Sequence, residues 1–266
     1  MAVIFLIIGL IIGSFINAVV YRLNTAETLW ERSHCPKCKK KIRWHDNIPL
    51  LSFVLLSARC RDCGEKISWQ YPVTELVTGI IFALIGTYFF DSFDTATWFS
   101  TLHYLVVFTI LMIIFVYDLK YMEIPMIILW MGVAWTIAYL LFADWQTFSS
   151  AMGFFSLNIV SGIIGGMAAF AFFYALAAYS KETWMGMGDA YLGLLAGLVM
   201  GWPKILIALM LAFTIGAIVS IILVVMQKKT VKSQVPFAPF LVVGMLAAIL
   251  LPEIFPSLAY YQMLFW

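Results

Sequence analysis

Apolar runs of about 17 to 25 residues, each carrying at most one charged side chain, follow one another along most of this chain; that is the length at which a helix crosses a ~30 Å hydrocarbon layer. No alternation of period two competes with them. Only 11% of the side chains are charged and 64% are hydrophobic, against roughly 25% charged in soluble domains. Water is therefore not the main solvent of this protein. Eight spans are predicted, at 2 to 21, 73 to 90, 100 to 117, 124 to 143, 153 to 178, 189 to 201, 204 to 226 and 236 to 252, the sixth being the shortest. The first run lacks a basic leader region and a small-residue cleavage site and carries Ser14 and Asn17, so it reads as a retained helix.

Basic residues accumulate in cytoplasmic loops. With the N-terminus outside, the inside loops are 22 to 72, 118 to 123, 179 to 188 and 227 to 235, and they hold 15 of the 16 Lys and Arg, including Lys228, Lys229 and Lys232. Only Lys204 falls outside. This asymmetry supports both the orientation and the even number of spans.

The long hydrophilic segment, 23 to 72, contains all four cysteines: Cys35-Pro36-Lys37-Cys38 and Cys60-Arg61-Asp62-Cys63. Two C-x-x-C pairs 21 residues apart form two knuckles, each presenting two thiolates to one tetrahedral ion, the pattern of a structural zinc ribbon. A disulfide or free thiols are the alternative, disfavoured by a reducing compartment. His34 and His45 are further ligand candidates, but four cysteines already close the site. A closed site leaves no position for water, which points to scaffolding rather than metal catalysis. The run Lys37, Lys39, Lys40, Lys41 and Arg43 reads as a cluster that sets topology, and no nucleic acid partner is expected. Trp30, Trp44 and Trp69 suit the headgroup level. The predicted organisation is a first transmembrane helix at 1–22, a cytoplasmic four-cysteine domain at 23–72, and transmembrane helices two to eight at 73–266, with a core at about 100–226. The fold class is thus an all-α polytopic membrane protein of about eight spans with a small zinc-ribbon-like insertion between the first two.

Ionisable residues at span edges are costly and mark functional positions. Asp118 closes the third span and Asp189 opens the sixth, after Gly186-Met187-Gly188, both at cytoplasmic ends in this topology. Asp91, Asp94 and Asp144, in outside loops, read as water-boundary residues. A carboxyl pair sharing one proton activates water for amide hydrolysis: the ionised member takes the water proton and the protonated member polarises the carbonyl. Gly186 and Gly188 allow close backbone approach to a substrate. Helix dipoles disfavour an anion at Asp118 and favour one at Asp189, so Asp118 is expected to hold the shared proton. Glu75 is a third candidate, read mainly as a satisfied interfacial carboxylate and otherwise as a group orienting substrate or methyl donor. Gly162, Gly165, Gly166, Gly193, Gly197 and Gly201 predict close helix packing.

These residues together resemble the type IV prepilin peptidase family. Gly13-Ser14-Phe15-Ile16-Asn17 with Tyr21-Arg22-Leu23 resembles its N-terminal signature. The paired C-x-x-C, Ile48-Pro49-Leu50-Leu51-Ser52, Arg59 to Gly64 and Tyr71-Pro72-Val73-Thr74-Glu75 resemble its cytoplasmic domain. Asp118 and the Gly-x-Gly-Asp ending at Asp189 match its catalytic positions, and Pro236-Phe237-Ala238-Pro239-Phe240 its C-terminal motif. Two positions depart: Tyr191 stands where the family usually has Lys, and Ala238 where it has Gly. The resemblance implies cleavage of the basic leader from type IV prepilins or pseudopilins at the inner face of the bacterial cytoplasmic membrane. It also implies methylation of the new N-terminal residue from S-adenosylmethionine, for which no binding residues are evident. Alternatives are a peptidase without methyl transfer, an ion-coupled transporter using the paired aspartates, and a non-enzymatic assembly factor presenting the cysteine domain.

Overall fold

A computed structural model describes residues 1–28, 31–90, 92, 94–147, 157–227 and 235–254; Trp30, Asp91, Lys228, Lys229 and Lys232 lie outside the described residues. Among the described residues each predicted span contains a helix: α1 (Ala2–Thr25), then a five-residue helix α2 (Leu51–Leu55) inside the insertion, α3 (Gln70–Tyr88), α4 (Thr95–Tyr121), α5 (Met126–Thr147), α6 (Asn158–Ser180), α7 (Met187–Met200), α8 (Lys204–Val225) and α9 (Ala238–Ile254). Six of them, α1, α3, α4, α5, α6 and α8, are long and apolar enough to cross a membrane, while α7 and α9 are shorter apolar helices. The chain divides into two compact units, Met1–Val116 and Tyr117–Trp266.

In the first unit α1 packs on α3 through glycines one turn apart. A Cβ at Gly9 would stand 2.8 Å from the Gly79 Cα, and one at Gly13 would stand 2.6 Å from the Glu75 Cα. Only hydrogen fits there, so the two backbones approach as small-residue membrane helices do. α1 ends at Ala26, which is left-handed (φ 54°) and donates its N–H to the Arg22 carbonyl. The buried Arg22 side chain then holds the departing chain by donating to the Glu31 carbonyl.

In the second unit α7 lies against α5, α6, α8 and α9. Its 14 residues span only about 21 Å at 1.5 Å per residue, yet Leu192, Leu195 and Ala196 are fully buried. Its apolar character therefore serves contact with its neighbours on several sides. The α6–α7 seam is built as the glycine spacing predicts: Gly197 meets the backbone of Gly165, and a Cβ on Gly166 or Gly162 would stand 3.1 Å from the carbonyl oxygen of Leu194 or Leu198.

Asp144 is not the loop residue expected of it. It lies in the last turn of α5, buried, and its carboxylate accepts hydrogen bonds from Asn158 N (2.8 Å), Asn158 Nδ2 (2.9 Å) and Ile159 N (2.9 Å). Those backbone N–H groups open α6 and have no partner within their own helix, so a neighbouring helix supplies the cap.

Candidate active site and four-cysteine site

Asp118 occupies the last turn of α4 and Asp189 the third position of α7, so both belong to the second unit. Asp118 is 5% exposed and its Oδ2 accepts a hydrogen bond of 3.1 Å from the backbone N–H of Ala238, at the start of α9. Asp189 is half-buried, and its Oδ2 accepts a bond of 3.3 Å from the N–H of Gly186. Both carboxyls border the turn between α4 and α5: Asp118 lies in the last turn of α4, and Gly188, beside Asp189, stands against Ile124 of that turn. The chain turns after α4 because Met122 is left-handed (φ 54°) and donates to the Asp118 carbonyl; Pro125 then opens α5, its carbonyl taking the N–H groups of Ile128 and Leu129.

The two glycines before Asp189 differ in surroundings. A Cβ at Gly186 would meet nothing nearer than 3.9 Å, whereas one at Gly188 would stand 3.3 Å from Ile124. Gly186 thus leaves open space beside Asp189, and Gly188 admits Ile124. Tyr191 packs on Trp130 and Phe170, with ring centroids 5.8 and 5.5 Å away. Two residues beyond Asp189 on the helix, it projects roughly 200° around the axis and sits in an aromatic cluster.

Glu75 belongs to the first unit. Buried in α3, it accepts the backbone N–H of Leu50 at 2.8 Å. Leu50 carries φ 59°, a conformation that side chains with a Cβ rarely adopt. The carboxylate ties α3 to the loop before α2.

The Sγ atoms of Cys35, Cys38, Cys60 and Cys63 all lie within 4.8 Å of one another, an arrangement able to hold a metal ion. None of the four is in a disulfide. The two knuckles repeat each other at an interval of 25 residues. In the first, Lys39 N donates to Cys35 O and Ile42 N to Ser33 O; in the second, Gly64 N donates to Cys60 O and Ile67 N to Ala58 O. The corresponding left-handed residues are Lys39 (φ 58°) and Gly64 (φ 69°), and the bridge His34–Lys41 matches Arg59–Lys66. Across the repeat, Lys37 pairs with Glu65 (3.6 Å) and Lys40 with Asp62 (3.2 Å). Arg61 forks onto Asp46 with bonds of 2.8 and 2.7 Å.

The first part of the chain, residues 7–89, matches the Bacterial Peptidase A24 N-terminal domain, and residues 105–221 match the Type IV leader peptidase family. A relative in Escherichia coli O78:H11, a type 4 prepilin-like proteins leader peptide-processing enzyme, is 33% identical over 93% of this chain and 93% of its own. The chain belongs to the type IV leader peptidase family. A family member from Vibrio cholerae, a prepilin leader peptidase/N-methyltransferase, is 35% identical over 75% of this chain and 77% of its own. Another of that name, from Myxococcus xanthus, is 30% identical over 84% of this chain, which spans 63% of that relative's length. No solved structure gives a significant match. Within this family member, sequence reasoning missed Ala238 N–H as the partner of Asp118, although Pro236 to Phe240 had drawn attention through resemblance. It also missed the knuckle repeat, whose signal was the constant spacing of Cys35/Cys60, Cys38/Cys63, Ile42/Ile67 and Trp44/Trp69.

Proposed function

We propose that this protein removes the basic leader from type IV prepilins or pseudopilins by aspartyl chemistry at Asp118 and Asp189. The carrying observation is that Gly188, beside Asp189, stands against Ile124 in the turn that follows Asp118, with both aspartates inside the leader peptidase match at 105–221. The pair takes one proton from a water and lends another to the scissile carbonyl; breaking the C–N bond leaves a carboxylic acid on the leader and an amine on the mature chain. Asp118, at the C-terminal end of α4, holds the shared proton, while the N-terminus of α7 favours the anion of Asp189. The open space beside Gly186 admits the substrate backbone.

The same protein methylates the new N-terminus from S-adenosylmethionine, a reading supported by the names of its relatives. It lies in the bacterial cytoplasmic membrane with its N-terminus outside, so the 23–72 domain, Asp118 and Asp189 face the cytoplasm. That side receives the basic leader while the hydrophobic helix of the substrate stays in the bilayer. Cys35, Cys38, Cys60 and Cys63 hold a structural Zn2+. The 3.9 Å between the Sγ atoms of Cys35 and Cys63 agrees with the roughly 3.8 Å edge of a tetrahedron with Zn–S bonds of about 2.3 Å. Bound zinc stabilises the fold of the insertion.

Incubation with a prepilin and S-adenosylmethionine tests the assignment through product masses. Loss of the leader plus one methyl group is expected, with Asp118→Asn and Asp189→Asn both inactive. Cleavage that survives either substitution overturns the aspartyl mechanism, and cleavage without methylation removes the transferase half.

A further inference from the structure

The insertion carries a concentrated apolar surface. Leu51, Val54 and Leu55 of α2 are 50%, 71% and 71% exposed, and the flanking Trp44 and Trp69 are 77% and 71% exposed. Positions 51, 54 and 55 share one helix face. Trp69 meets Phe53 edge to face with ring centroids 4.9 Å apart, which ties α2 to the start of α3. The apolar stripe then continues down α3 through Val73 (53% exposed), Leu76 (46%) and Ile80 (47%), at the four- and three-residue steps of a single helical face. Those α3 residues belong to a helix long and apolar enough to cross a membrane, and the Phe53–Trp69 contact joins α2 to the start of that helix.

Its borders also suit a bilayer surface. Trp44 and Trp69 are equivalent residues of the two knuckles, and indole rings favour the headgroup layer. Exposed Arg43 precedes Trp44, and exposed Arg59 follows α2; such cations suit anionic lipid phosphates. The one hydroxyl of α2, on Ser52, donates to the Ile48 carbonyl at 2.7 Å and needs no water. We propose that the insertion lies on the membrane, with α2, Trp44 and Trp69 immersed in the headgroup layer of anionic lipid. The four-cysteine site is thereby held close to the bilayer, whichever reaction the second unit performs.

The test uses the full chain in nanodiscs of phosphatidylethanolamine and phosphatidylglycerol. A ketone-reactive nitroxide on p-acetylphenylalanine at position 54 leaves the four cysteines untouched. Its collisions with oxygen and with a water-soluble nickel chelate are compared with those of labels at position 80 on α3 and position 65 on the second knuckle. The proposal expects the position-54 label to favour oxygen, as at position 80. A position-54 label as open to nickel as position 65 overturns it. So does shielding that appears only when a prepilin is added, since the patch would then receive the substrate.

Discussion

The carboxylate of Asp118 and the backbone N–H of Ala238 meet at 3.1 Å although 120 residues separate them in the chain. This bond carries the start of α9 to the end of α4. Ala238→Pro removes the donor and leaves the buried Asp118 carboxyl without it; prepilin cleavage is expected to fall by about tenfold, in line with the ~1–3 kcal/mol cost of leaving a buried polar group unsatisfied. Ala238→Gly keeps the N–H and is expected to retain activity. Cleavage rates of the two variants, measured side by side, check the assignment.

Asp118→Asn and Asp189→Asn are each expected to lower cleavage by at least ~100-fold, the lower bound for loss of a positioned acid or base. Binding of an uncleaved prepilin, followed by co-purification, should persist, because both substitutions are near-isosteric.

Asp144→Ala deprives α6 of its cap from α5. A loss of about 1–2 kcal/mol is expected, read as a lower unfolding midpoint in detergent. Asp144→Asn is expected to recover part of it.

At the α6–α7 seam, Gly197→Leu would drive a side chain into the Gly165 backbone. Overpacking of this kind costs about 1–3 kcal/mol. Thermal unfolding should show the loss, while Leu206→Ala on the exposed side of α8 should shift it little.

The Arg61 guanidinium holds the Asp46 carboxyl below its usual range through hydrogen bonding. A carboxylate with a depressed folded pKa stabilises the fold fully above its unfolded value of about 4 and loses that contribution as pH falls through the depressed value. Wild type and Asp46→Asn are therefore expected to differ in proteolytic resistance of the insertion at neutral pH and to converge in acid. Separately, metal analysis should find one zinc per chain, and removal of the ion by a strong chelator should open residues 23–72 to protease.

Helices were legible wherever a single signal governs them. Apolar length alone located α1, α3, α4, α5, α6 and α8, because nothing in hydrocarbon competes with the internally bonded helix. The two aspartates were legible because charge is scarce in such segments. Contacts that depend on tertiary placement were not: Asp144 looks like any residue at a water boundary until α6 returns beside it, and Ala238 offers only a backbone N–H, a group every residue but proline has. Likewise Tyr191 is a departure in sequence, and only the proximity of Trp130 and Phe170 accounts for its ring.

The crossed ion pairs of the cysteine knuckles act as a recognition code between unlike halves. The repeat carries Lys37 onto Asp62 and Lys40 onto Glu65, so the pairs Lys37–Glu65 and Lys40–Asp62 exchange places with their charges inverted. Two copies of the first knuckle would set Lys37 against Lys40, and two copies of the second would set Asp62 against Glu65. Exposed pairs like these add little to stability, but repulsion in the wrong pairing adds discrimination. Four identical sulfurs cannot tell one knuckle from its twin; the lysines and acids around them can.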